Sequence, residues 1–326
     1  MWKRVGRIVL WMGFGVGVLM VAACVSLQKP DIPYDTLRER YASPASRYMD
    51  LENGLKVHYR DEGNPNGPVI VLVHGFSASL HAWEPWVGEL GADYRIISLD
   101  LPGHGLTEAP PNYQTSLALY AEVVDEVARR LGVSGQYVIA GNSMGGGVAW
   151  TLALAHPDRV RALVLVDAIG PSMGRGGSPL LSGLMSSPPG RAMVRHLDLT
   201  GIAARGLRSA YVDQSLVTPA LIGRYVDFSR APGHRDILLR RRESGPAVTA
   251  ATLATIRAPT LILHGEADAL IPLSSSQALA KAIPGARLVT YPGVGHVPME
   301  QIPAKSAADL RAFLESLPAL TLRPAT

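Results

Sequence analysis

Five stretches of this chain are apolar at their centres with no polar residue at every second position. They are PVIVLVHG (68–75), RIISLDL (95–101), YVIAG (137–141), RALVLVDA (161–168) and PTLILHGEAD (259–268). A strand with one wet face alternates apolar and polar residues. Uninterrupted runs therefore imply strands covered on both faces, the condition of a mostly parallel sheet. Between them the apolar spacing changes to one near 3.6 residues. SLALYAEVVDEVARRLG (116–132), with Gly132 at its stop, and GGVAWTLALAHP, ended at Pro157, read as helices. A helix around 274–282, a strand at ARLVTYPG (286–293) and a closing helix at 303–317 continue the rhythm. Ahead of it, SRYMDLENGLKVHYRDEG (46–63) holds two strand-like runs joined by Asn53-Gly54, a hairpin signal. Strands alternating with helices after an antiparallel start imply an α/β fold: a mostly parallel central sheet with helices on both faces.

The rhythm breaks between 171 and 257. That span opens with a Gly/Ser/Pro-rich stretch and continues with helix-like segments that lack a buried-strand signature. An excursion of this length between two core strands is a cap and not a loop. The core is therefore expected in two parts, 46–170 and 258–318, around a helical cap at 171–257, with a tail at 319–326. The cap holds twelve arginines, no lysine and five acids, a net +7 that exceeds the +4 of the whole chain. Arg240-Arg241-Arg242 is its densest cluster. A surface of this kind suits anionic headgroups, although internal pairing would account for it as well. The overall charge is too small, and too free of recognition motifs, to point to nucleic acid.

The first 27 residues read apart from the fold. Lys3, Arg4 and Arg7 precede an uncharged run, IVLWMGFGVGVLMVAACVSL (8–27), the form of an export signal and also long enough to span a bilayer. The single cysteine, Cys24, stands in VAAC, which resembles a bacterial lipobox. Lipidation of Cys24 after cleavage and an uncleaved signal anchor are both expected forms. Either holds the body at a membrane, facing the periplasm or exterior. Residues 28–45, with Pro30, Pro33 and Pro44, read as a linker. One cysteine allows no intramolecular disulfide.

The chemistry gathers around Gly141-Asn142-Ser143-Met144-Gly145, a G-x-S-x-G between a strand and a helix. This is the pattern of a nucleophile elbow, a turn too tight for side chains two residues either side of the serine. A serine needs a base. Of the nine histidines, His296 in YPGVGHVPMEQ falls in a loop after the last strand, at the carboxyl edge of the sheet where sites of open α/β sheets occur. The acid that orients it is expected to be Asp268 in HGEADALIP, with Asp167 at the preceding strand end as the alternative. The oxyanion donors are the backbone N–H of Met144 and that of Phe76 in HGF. His74, Asp100 and His104 read as architectural.

HGFSAS, DLPGHG, GNSMGG, HGEAD and GVGH, in this order and spacing, resemble the α/β-hydrolase superfamily over roughly 46–170 and 258–318. The resemblance implies the α/β-hydrolase fold and a Ser143–Asp268–His296 triad without cofactor or metal. HGF and GNSMGG with an apolar N-terminal segment are similar to bacterial esterases, lipases and membrane-bound monoacylglycerol lipases. The implied activity is hydrolysis of small-molecule or lipid carboxylic esters. GNSMGG also occurs in carbon–carbon bond hydrolases, so that reaction, or acyl transfer, is the alternative. A non-catalytic binding protein fits less well, because all three triad members are present. Relatives of this fold with an aspartate nucleophile are disfavoured by Ser143.

Overall fold

The computed structural model describes residues 11, 15, 28–110, 113–170, 197–239 and 248–318. Cys24, Arg240-Arg241-Arg242, nearly all of the 8–27 run and the start of the cap lie outside the described residues. Among the described residues no helix is long and apolar enough to cross a membrane.

The first element with described bounds is α1 (Tyr34–Tyr41), followed by β1 (Ser46–Asp50), β2 (Lys56–Gly63) and β3 (Val69–Val73). A short 3-10 turn (Leu80–Trp83) leads to α2 (Glu84–Leu90), β4 (Arg95–Leu99), α3 (Leu117–Arg130), β5 (Tyr137–Asn142), α4 (Met144–Ala155) and β6 (Val160–Val166). The cap supplies α5 (Thr200–Ala210), α6 (Pro219–Ser229), α7 (His234–Leu239) and α8 (Ala250–Leu253). The core resumes with β7 (Thr260–Gly265), α9 (Leu273–Ala282), β8 (Arg287–Tyr291), α10 (Pro298–Gln301) and α11 (Pro303–Glu315).

The strands form one eight-stranded sheet in the order 1-2-4-3-5-6-7-8. β2 runs antiparallel to both its neighbours, and the pairs from β4 onward across the sheet are parallel. The expected hairpin is present, with Asp50 opposite Lys56 and Gly54 at φ +80°, a conformation that glycine adopts without strain. The uninterrupted apolar runs divide by parity. Val71, Val73, Ile139, Leu163, Leu165 and Ile262 pack into one core beneath α3, α4 and α9. Ile70, Leu72, Val138, Val164, Leu261 and Leu263 pack into a second core with α2 and α11. Both faces of each central strand are thus dry, and each buried aliphatic side chain contributes about 1.5–3 kcal/mol.

β4 lies on one side of β3 and β5 on the other, so the chain reverses direction across the sheet at the β3/β5 boundary. Such a switch point splays the loops that leave the carboxyl ends of the strands and opens a crevice between them. The loop after β3 carries Phe76, and the turn after β5 carries Ser143.

The 28–45 stretch, read from its prolines as a linker, is structured and fixed to the cap. Ile32 N donates to Arg230 O (2.8 Å), Arg230 Nε to Pro30 O (3.0 Å), and Arg235 pairs with Asp31 (2.6 Å). Arg40 and Tyr41 both reach Asp227 of α6 at 2.8 Å. Leu37 is fully buried in a small cluster with Ile32, Leu106, Phe228 and Ala231. The segment has too few apolar residues to signal a helix, and it is ordered by contacts distant in sequence.

Candidate active site

The turn after β5 is built around a strained serine. Ser143 has φ +55° and ψ −116°, a region costly for a residue with a Cβ, by about 1–3 kcal/mol. Its N–H is held by Val166 O (2.9 Å) and its carbonyl accepts from Ile169 N (3.1 Å). The flanking glycines are required by space. A Cβ on Gly141 would come within 2.1 Å of Gly145 O, and one on Gly145 within 2.1 Å of Val73 O. The strain keeps Ser143 partly exposed at the start of α4, where the positive end of the helix dipole lies. Met144 is the first residue of that helix, so its N–H has no carbonyl one turn earlier to bind.

The second expected donor sits beside the serine. Gly75 packs so closely that a Cβ there would be 3.2 Å from Ser143 Cβ. His74 explains the orientation of the next peptide. Its Nε2 accepts from Leu101 N (3.0 Å), so its Nδ1 carries the proton and donates to Gly75 O (2.7 Å). Burial lowers the pKa of His74, in keeping with that neutral form. In a planar trans peptide the carbonyl and the following N–H point in opposite directions. Pinning Gly75 O to His74 therefore turns the Phe76 N–H away from His74. The structural hydrogen bond that the sequence assigned to His74 is present, from Nδ1 to Gly75 O.

His296 Nδ1 lies 2.7 Å from Asp268 Oδ2. The other Asp268 oxygen, Oδ1, accepts from Leu270 N (2.7 Å) and Ile271 N (3.0 Å). Burial opposes ionisation of Asp268, but His296 and these N–H groups outweigh it and hold the carboxyl below its ordinary value. Asp268 thus offers a fixed acceptor to Nδ1, and Nε2 is the ring nitrogen on the opposite side. Asn142, which the sequence offered only as the variable position of the motif, joins the two halves. Its Nδ2 donates to His296 O (3.0 Å) and Val166 O (3.2 Å), tying the histidine loop to the residue before Ser143. The His296 N–H donates to Ala210 O of the cap (2.8 Å), so the cap also holds this loop. Asp167, the alternative acid, is completely buried at φ +43°, and its Oδ1 accepts from Gly265 N (2.9 Å).

A hydrogen-bonded Ser–His–Asp chain is formed by other residues, at β1, β2 and the end of β4. Ser46 Oγ is 2.8 Å from His58 Nε2, and His58 Nδ1 is 2.7 Å from Asp100 Oδ2. Asp100 also accepts from Leu80 N (2.7 Å) and Leu106 N (2.8 Å). Burial opposes its ionisation, but the His58 hydrogen bond and charge prevail and keep its carboxyl well below the usual carboxylate range. A Cβ on Gly105 would overlap this carboxylate at 1.9 Å, which accounts for the glycine after His104.

The alpha/beta hydrolase family profile matches residues 70–309. A 2-hydroxymuconate semialdehyde hydrolase of Pseudomonas putida is 32% identical over 259 residues, covering 76% of this chain and 86% of its own. A crystal structure of a membrane phospholipase A, described as a bacterial virulence factor, superposes with a TM-score of 0.69 at 27% identity. It covers 97% of this chain and 98% of its own. An esterase from Rhodococcus sp. superposes with a TM-score of 0.67 at 28% identity, covering 84% of this chain and all of its own. The dissected crevice, the sheet order and the profile agree: the chain belongs to the alpha/beta hydrolase family.

Proposed function

We propose that the chain is a serine hydrolase of carboxylic esters, with Ser143 as nucleophile, His296 as base and Asp268 as its orienting acid. The observation that carries this reading is the 2.7 Å His296–Asp268 pair, tied through Asn142 to the strained turn that presents Ser143. Ser143 Oγ attacks the ester carbonyl carbon and its proton passes to His296 Nε2. The carbonyl oxygen gains negative charge and is met by the N–H groups of Met144 and Phe76. As the tetrahedral intermediate collapses, the C–O bond breaks and the leaving alkoxide takes the proton from His296. Water then repeats the cycle on the acyl-serine and releases the acid.

The ester class is favoured by coverage. The phospholipase A structure extends over 97% of the chain, more than the 84% of the Rhodococcus esterase compared in the same way. The same comparison supports a membrane-held protein, through a lipidated Cys24 or an uncleaved helix. The docked segment 28–41 would then bring the chain from the membrane directly onto the cap. Carbon–carbon bond hydrolysis on the same residues is the second reading, favoured by the 2-hydroxymuconate semialdehyde hydrolase relatives. Assay of the full chain against p-nitrophenyl esters of graded acyl length and a phospholipid, beside a 2-hydroxy-6-oxo-dienoate, separates the two. Ester turnover well above dienoate turnover is expected. The reverse order overturns the ester reading.

A further inference from the structure

Close to Asp268 lies a carboxyl that the proposed reaction does not use. Asp167 directly follows β6, and its backbone N–H donates to Leu263 O (2.9 Å) while its Oδ1 accepts from Gly265 N (2.9 Å). Both bonds reach β7, so Asp167 is fixed to the strand that leads into Asp268. The two carboxyls and a ring nitrogen of His264 lie within 4.8 Å of one another. Two carboxyls buried this close to each other are not both ionised readily, and one of them is favoured with its proton kept.

The donors already present decide which one. Asp268 accepts three N–H bonds, from Leu270, Ile271 and the His296 ring. Asp167 accepts one from Gly265, and its Oδ2 is buried without a hydrogen-bond partner, within reach of the Asp268 carboxylate. Of the other titratable groups around it, His264 has Nδ1 3.3 Å from Asp167 Oδ1 and 2.8 Å from Ser276 Oγ. Burial lowers the His264 pKa, so no cation stands there to favour an Asp167 anion. Tyr291 on β8 is also pushed up, first by burial and in lesser part by Asp167. His296 pairs with Asp268. Burial, followed by the Asp268 charge, raises the Asp167 carboxyl well above its ordinary value.

We propose that Asp167 is a positioning residue for the His296–Asp268 pair: its carboxyl O–H donates to the Asp268 carboxylate and fixes how that carboxylate meets the imidazole. The inference rests on the triad reading above. It predicts opposite behaviour for two substitutions. Asp167→Asn retains an acceptor for Gly265 N and an N–H donor for Asp268. Asp167→Ala removes the donor, which leaves Asp268 with more of its charge directed at His296 and a looser carboxylate. The histidine then holds its proton to higher pH.

The test is the pH profile of kcat/KM for a short-chain p-nitrophenyl ester, measured on the full chain and on Asp167→Asn, Asp167→Ala and Ser143→Ala. Asp167→Asn is expected within about threefold of the parent with its acid limb unmoved. Asp167→Ala is expected to lose about tenfold or more, mainly in kcat, with the acid limb shifted up by roughly half a pH unit or more. An acid limb displaced downward in Asp167→Asn would mean that a negative charge had been removed, and overturns the proposal. So does an Asp167→Ala profile equal to the parent's. If Asp167→Ala does not fold, Asp167→Asn decides alone: parent-like rate and limb support the inference, and a lost rate or moved limb refutes it. Ser143→Ala keeps the two claims apart. If it remains active the triad reading has failed, whereas an inactive Ser143→Ala beside an overturning Asp167 result condemns only the role of Asp167.

Discussion

Two buried Asp–His pairs with the same 2.7 Å contact stand in different settings, one completed by a bonded serine on an edge strand and the other beside the strained turn of Ser143. Ser46, His58 and Asp100 form an unbroken chain with contacts of 2.8 and 2.7 Å. The Asp268–His296 pair repeats the second of these distances. What differs is the setting of the serine. Ser46 opens an edge strand with ordinary backbone, and its Oγ accepts from Ser43 N (3.1 Å). Ser143 is held at positive φ at the start of a twelve-residue helix. His58 is wholly buried between its partners, whereas His296 keeps an exposure of 6%. Strain at the serine, a helix terminus and a crevice are what the proposed site has and the Ser46–His58–Asp100 chain lacks.

The largest separation between the two settings is expected at the serines. Ser143→Ala should lower kcat on an ester by a factor on the order of 10⁶, to near background, with the fold intact. Ser46→Ala should leave kcat within about twofold and cost stability of about 1–2 kcal/mol, the scale for a buried partner left without its hydrogen bond. Labelling by a fluorophosphonate should follow Ser143 alone; a second labelled peptide containing Ser46 would erase the distinction.

At the acids the two pairs should part in kind. Asp268→Asn is expected to lower kcat by about 10⁴ while the melting temperature changes little. Asp100→Asn places an amide against two backbone N–H donors and a buried histidine. Breaking a buried pair costs about 3–5 kcal/mol, so Tm should fall by about 10 °C while kcat per folded molecule is retained. Thermal melts and active-site titration of the two variants check both halves of the claim.

The smallest effect is a pH dependence. The Asp100 carboxyl is held well below its ordinary value in the folded protein. Its stabilisation is therefore complete above the unfolded carboxylate value, about 4, and is lost as pH falls from there through the lower folded value. Urea unfolding at descending pH should show this slope in the parent and a shallower one in Asp100→Asn. Equal slopes would remove Asp100 from the acid sensitivity of the fold.

The core was legible in the sequence because burial on both faces leaves its mark residue by residue. Val69–Val73, Tyr137–Asn142 and Thr260–Gly265 fall within or beside the apolar runs that announced them. The elbow was legible because only glycine fits beside Gly145 O and Val73 O. Segment 28–45 was not: α1 carries a single fully dry residue, Leu37, and its helix depends on Asp227, Arg230 and Phe228, almost two hundred residues away. The 3-10 turn and α2 between β3 and β4 likewise went unread, although Trp83 and Trp86 are fully buried there.

Taken alone, the sequence determined the kind of fold, the order of its strands along the chain and the identity of Ser143, Asp268 and His296 as candidates, because periodicity and steric exclusion are local properties. It could not determine which strands are neighbours, and so could not show that the loops of β3 and β5 diverge at a switch point. Nor could it reveal that Asn142 ties the histidine loop to the elbow, that His74 turns the Phe76 peptide, or that Asp167 stands close to Asp268. Those are contacts between residues far apart in the chain. Their energies depend on distance, burial and donor direction, which exist only once the sheet has brought its carboxyl ends together.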